Sequence, residues 1–205
     1  MITISMNNHT WKSYVYAVCG MIGIFALILF AMGHVPICEC GYIKLMSGIT
    51  QSSENSQHIA DWYSFSHVIH GFGFYALFWF LGKRIRRNSS DAKKKNLPIG
   101  ARLLFAVLVE IAWELFENSD FIINRYRAAT ISFDYYGDSI INAVSDVLFM
   151  MLGFHLASKL PIWATITLII AMELFVGFMI RDNLTLNIIM LLYPFQAIKN
   201  WQMGA

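Results

Sequence analysis

His67 and His70 stand three residues apart near the start of an apolar run and share one face if that run is helical. Glu110, Glu114 and Glu117 recur at spacings of four and three inside a second apolar run, and Asp138, Asn142 and Asp146 recur every four residues at the start of a third. Imidazoles and carboxylates spread over several helices in this way support three kinds of chemistry. His67, His70, Glu110, Glu114 and Asp146 offer the nitrogen and oxygen donors that hold a divalent metal such as zinc, iron or manganese, although HVIH is not the HExxH pattern of zinc proteases. Without a metal, His67, His70, Glu114 and Asp138 form a catalytic set able to exchange protons with a substrate. Arg125 and Arg127, with Asp61 and Asn142, then supply substrate-binding groups for a polar or anionic moiety. In a small ion-coupled transporter the same acids would titrate as the cavity alternates its access. The remaining alternative is non-catalytic, a satisfied polar network that fixes helix packing in an assembly or stress factor.

Positioning these groups requires helices in an apolar solvent. Of the 205 residues, 57% are hydrophobic and 14% charged, against about 25% charged in an ordinary soluble domain. A net charge of +2 provides no basic field for nucleic acid, and the composition excludes a disordered chain or a disulfide-rich miniprotein. The expectation is one all-α, polytopic transmembrane helical bundle over residues 1–205, with membrane lipids as its surroundings. Apolar runs approaching the ~20 residues that cross a bilayer fall at about 14–32, 65–81, 99–116, 139–157 and 161–180. Pro98 and Pro161 suit the openings of the third and fifth. A further run at 184–198 is short and contains Pro194, which leaves five or six spans. Residues 14–32 read as a retained anchor, because no small-residue cleavage pattern follows them.

Lys12, the KRIRRNSSDAKKK linker at 83–95, Arg102 and Lys159 fall on one side of this topology, and Lys44, Arg125, Arg127 and Arg181 on the other. The positive-inside rule then puts the N-terminus in the cytoplasm of a bacterial inner membrane. With that orientation the ionisable residues within the spans, Glu173 included, gather in the outer halves, which predicts a polar cavity open to the periplasmic side and walled by spans two, three and four. Cys38 and Cys40 form a CxC pair on the first outer loop, readable as a disulfide, a thiol site or two ordinary cysteines. No role attaches to His9, His34 or His155.

The stretches CxCGYIKLMSG, SSENSQHIADWYSFSHVIHGFGFY, EIAWELFENSDFIINRYR and DYYGDSIINAVSD resemble an uncharacterised bacterial inner-membrane family without an assigned activity. GFHLASKLPIWAT and ELFVGFMIRDNLTLNIIMLLYP extend the resemblance, which runs from about Pro36 to the C-terminus. It implies a multi-pass membrane location and supplies no catalytic assignment. More loosely, the chain is similar to VanZ-like membrane proteins, whose pattern Asp61, His67, Glu114, Arg127, Asp138 and Asn142 would fill, with departures in spacing and loop length. GDSIINAVSD resembles part of the CDP-alcohol transferase motif but lacks its leading elements, and the Ser-Gly-His core of lipid phosphatases is absent.

Overall fold

The uncharged run after Lys12 forms the longest helix, α1 (Asn8–Met32), in a computed structural model that describes residues 8–87 and 97–204. It is followed by α2 (Ser64–Arg87), α3 (Ile99–Glu117), α4 (Asp120–Ala129), α5 (Ile140–Lys159), α6 (Ile162–Ile180), α7 (Leu184–Leu192) and α8 (Gln196–Met203). No strand occurs among the described residues, as the all-α expectation requires. Pro98 and Pro161 directly precede α3 and α6, where a missing N–H forfeits no helical bond. Lys93, Lys94 and Lys95 of the basic linker lie outside the described residues.

Among the described residues, three segments are long and apolar enough to cross a membrane: Trp11–Met32, Ile140–Lys159 and Ile162–Ile180. α2 and α3 have comparable length, with 24 and 19 residues, but they carry the histidines and glutamates. The run at 184–198 is not one continuous helix. Pro194 ends α7 after nine residues, or ~13 Å of helix against the ~30 Å of a hydrocarbon core. Residues 120–129, between the expected spans at 99–116 and 139–157, form α4. Asp120 in its first turn complements the helix dipole, and Ile122, Ile123, Tyr126 and Ala129 form its buried face.

The apolar core joins α1, α3 and α5 through Phe25, Leu29, Ala106, Val107, Val147 and Met150, all fully buried. α2 and α5 pack more closely than any other pair, and glycine makes this possible. A Cβ on Gly71 would collide with the Met150 carbonyl oxygen, and one on Gly153 with the Val68 carbonyl oxygen. The two backbones therefore meet directly, as small residues allow in membrane bundles.

The long loop at 33–63 contains no helix, yet α5 holds it in place. The first N–H groups of a helix have no partner within it. Here Ser139, Ile140 and Ile141 donate theirs to the carbonyls of Ser56, Val35 and Pro36 at 3.0, 2.9 and 3.2 Å. The Ser139 hydroxyl accepts from the Asn142 N–H and caps the helix. At the same end, α7 and α8 fold back against α4: Arg125 donates to the Leu191 carbonyl at 2.9 Å and Lys199 to the Ala128 carbonyl at 3.0 Å.

The glycine contact generates a test. Gly71→Ala should destabilise the protein by about 1–3 kcal/mol or more, because backbone atoms cannot step aside as a side chain can. Gly73→Ala, two residues along the same helix and with open space around its Cβ position, should cause no loss. Thermal unfolding of both variants in detergent measures the difference.

Candidate functional site

One turn from the Gly71–Met150 contact, on both helices, His67 of α2 faces Asp146 of α5. The His67 Nε2 lies 3.9 Å from an Asp146 oxygen. On the other edge of the ring, Nδ1 donates to Glu110 Oε1 at 2.7 Å, with Glu114 Oε1 3.2 Å away. One ring N–H serves one acceptor well, and Glu110 takes it. Both Glu114 oxygens are buried without a hydrogen-bond partner among the described residues. His70, one turn along α2, directs its Nδ1 at the same Glu110 carboxylate, 3.2 and 3.3 Å from its two oxygens. Donor atoms of His67, His70 and Glu110 all lie within 4.8 Å of one another. Glu110 and Glu114 are wholly buried, so α3 and α5 bring three acids to one imidazole of α2 inside the protein.

Hydroxyls, amides and backbone surround this centre. Ser64 donates to Asp146 at 3.1 Å. Asp61 accepts from the Tyr63 and Ser64 N–H groups, at 2.7 and 3.2 Å, and from the Ser56 hydroxyl. Burial raises the Asp61 carboxyl above its usual range, while the Tyr63 N–H pulls the other way. Asp138, just before α5, accepts from the Tyr135 hydroxyl at 3.0 Å and the Asn118 amide at 2.8 Å, and donates its own N–H to the Asn118 side-chain oxygen at 2.6 Å. Burial, reinforced by the charge of Glu117, pushes the Asp138 carboxyl up to about 7. The His34 ring nitrogens reach the carbonyl oxygens of Asp138 and Asn118 at 2.9 and 3.0 Å, so the chain leaving α1 is tied to the site.

Two spaces adjoin the cluster. An inner cavity of about 30 Å³ is lined by Asp61, His67, Glu117, Asp138, Asp146 and the hydroxyls of Tyr63, Tyr126 and Tyr135. That volume holds a water molecule or two. An outer cleft of about 790 Å³ lies among the 33–57 loop, α4 and residues 136–138. Asn55 and Asp138 line both. Asn55 is 5% exposed, and its side-chain oxygen has no hydrogen-bond partner among the described residues.

His67, His70, Glu110, Glu114 and Asp146 thus come together as the spacing suggested, and Asp61 and Asp138 line the cavity beside them. Asn142 is adjacent, but its amide is committed to the His58 carbonyl at 2.7 Å. The arginines do not join. Arg125 pins α4 to α7, Arg127 lies over the Tyr136 ring at 4.9 Å, and neither lines the cavity or the cleft. Glu173 also leaves the group. Its carboxylate accepts from the Leu184 and Thr185 N–H groups, both at 3.1 Å, because the free N–H groups opening α7 attract an anion. Cys38 and Cys40 are joined by a disulfide on the cleft wall.

Asn55, Asn118, His34 and the three tyrosines were not foreseen from the sequence. Asn118 carried the only usable signal, as a polar residue directly after the glutamate stripe. The others lie in loops or on α4 and reach the site through tertiary contacts alone.

This architecture defines a helical protein with three helices, among the described residues, apolar enough for a membrane and a buried histidine–carboxylate centre at the end where its long loops gather. It belongs to the family described as "Protein of unknown function (DUF2585)", which matches residues 29–204. The chain is 51% identical over 191 residues to a UPF0314 protein of Rhizobium meliloti, covering 93% of this chain and 91% of the relative. It is 53% identical over 182 residues to a UPF0314 protein of Paracoccus denitrificans, covering 89% and 88%. No solved structure matches the chain.

The raised Asp138 carboxyl predicts a pH effect. An unfolded aspartate ionises near 3.9, so between about pH 4 and about pH 7 the folded protein holds a proton that the unfolded chain has lost. The stability this contributes is complete below about pH 4 and is lost as pH rises through about 7, by at most about 4 kcal/mol. Asp138→Asn should flatten that part of the profile, as read by unfolding in detergent at stepped pH.

Proposed function

We propose that the protein is an enzyme of the bacterial inner membrane that acts on a lipid or cell-envelope intermediate, with His67, Glu114 and Asp138 as its proton-handling groups. The observation that carries this reading is the shared wall of the two spaces. A headgroup seated in the 790 Å³ cleft would meet Asn55 and Asp138, which also line the inner cavity reaching His67 and Asp146. Histidine beside acids in a secluded site suits general acid–base work. Asp138, held at about 7, is poised both to give and to take a proton near neutrality.

The topology we propose has five spans, α1, α2, α3, α5 and α6, with the N-terminus cytoplasmic and the cleft facing the periplasm. Lys199 supports the count of five, because its contacts with Ala128 and the Phe133 ring set α8 beside α4, at the loop end. The basic linker between α2 and α3 supports the orientation. A VanZ-like pattern of Asp61, His67, Glu114, Asp138 and Asn142 agrees with the gathering of these residues, whereas Arg127 lies apart on Tyr136.

Deleting the gene from its host should change a lipid or envelope species in untargeted mass spectrometry. The wild-type gene should restore it, and His67→Ala or Asp138→Asn, expressed to the same level, should not. Unchanged lipids and envelope in the deletion strain, or full restoration by His67→Ala, would remove the enzyme reading.

A further inference from the structure

Among the described residues, Glu114 is the one acid of the cluster to which no donor is aligned, though it is wholly buried and 3.2 Å from the His67 ring. Buried carboxylates are ordinarily hydrogen-bonded, paired or bound to a metal. Beside it, donor atoms of His67, His70 and Glu110 already converge within 4.8 Å of one another, and Glu114 adjoins them through its 3.2 Å approach to His67 Nδ1. Two imidazoles and two carboxylates are the mixed nitrogen and oxygen set preferred by zinc, manganese and ferrous iron over magnesium or calcium.

We infer that His67, His70, Glu110 and Glu114 form a binding site for one divalent transition-metal ion, in which Asp146 is a positioning residue and not a ligand. Charge favours this. Two neutral imidazoles and two carboxylates around a dication sum to zero, and burial penalises any residual charge. Binding would displace the proton that His67 Nδ1 now donates to Glu110, since a ligating imidazole nitrogen must be unprotonated. The opposite ring nitrogen supplies the second argument. His67 Nε2 faces Asp146 at 3.9 Å, and Asp146 is itself held by the Ser64 hydroxyl. A carboxylate behind a ligating histidine fixes its tautomer and ring orientation. The other group of metal-ligand types among the described residues, Cys38, Cys40 and His58, is less suited, because its two sulfurs are bonded to each other.

A metal at this site deepens the proposed function and rests on that reading for its role: with the ion bound, His67 and Glu114 serve as ligands and Asp138 is left to handle the proton, while the presence of the metal is tested separately. Protein purified in detergent without chelator is analysed for metals, then stripped and titrated with zinc, manganese and cobalt(II), with the cobalt absorption spectrum reporting nitrogen and oxygen ligation. We expect about one equivalent per chain in the wild type and its loss in Glu110→Gln and in Glu114→Gln. Both are near-isosteric, and circular dichroism and size-exclusion profiles confirm that each is folded. Asp146→Asn should keep the stoichiometry while weakening affinity about 10–100-fold. A wild type that takes up none of the three ions, or a Glu110→Gln and Glu114→Gln double variant that binds them undiminished, overturns the site. If the wild type is metal-free while His67→Ala still fails to restore the lipid phenotype, the metal falls and the acid–base enzyme stands. Bound metal with no lipid phenotype in the deletion strain keeps the metal site and removes the enzyme.

Discussion

The separation of two backbones governs this protein. At Gly71 and Gly153 the side chains are reduced to hydrogen, so α2 and α5 touch main chain to main chain. One turn away that spacing brings His67 within 3.9 Å of Asp146. α3 then needs only to lay its glutamate stripe against the open side of the imidazole, which it does while its apolar face packs on α1 and α5. A wider α2–α5 crossing would leave Asp146 out of reach of the ring. The core and the polar centre are consequences of one contact, built from opposite sides of the same helices.

Placing so many ionisable groups in a buried region requires that their lone pairs and protons be met by other groups. The loops perform that task. Backbone carbonyls from 35, 36 and 56 satisfy the opening of α5, Tyr135 and Asn118 hold Asp138, and Ser56 and Ser64 hold Asp61 and Asp146. An extended, helix-free loop of this length inside a compact fold is ordinarily functional. Here its order has a cause, because α5 supplies N–H donors that would otherwise be unpaired.

The parts of this arrangement that could be read in the sequence are those with a local period. Apolar runs marked α1, α5 and α6, and spacings of three and four put His67 with His70 and Glu110 with Glu114. Pro194 signalled a break in the last run, and the helix is interrupted there. Contacts without a period stayed hidden. Asn55 sits in a serine-rich stretch that looks like any surface loop, and His34 follows a helix end with no pattern around it. Arg125, Arg127 and Glu173 misled for a related reason: a charged residue near a membrane-facing helix suggests ligand chemistry, yet nearby structure claims such side chains first. Free carbonyls and N–H groups at helix ends take Arg125 and Glu173, and an aromatic ring takes Arg127.

α5 and α6 are almost equal in length and both are apolar, but half of the α5 span is buried within the protein against 6% of α6. Only Val176 of α6 is buried, and its aromatic contacts with the rest run through Phe175 against Trp62 and Phe65. In a bilayer such a helix answers to its solvent and hardly at all to shape. Leucine, isoleucine, valine and phenylalanine are near synonyms at most of its positions, while along α5 each has a single fitting place. Exchange among these apolar residues should therefore be tolerated along most of α6 and costly along α5, so the two helices, alike in composition, differ in how much their sequence has to specify.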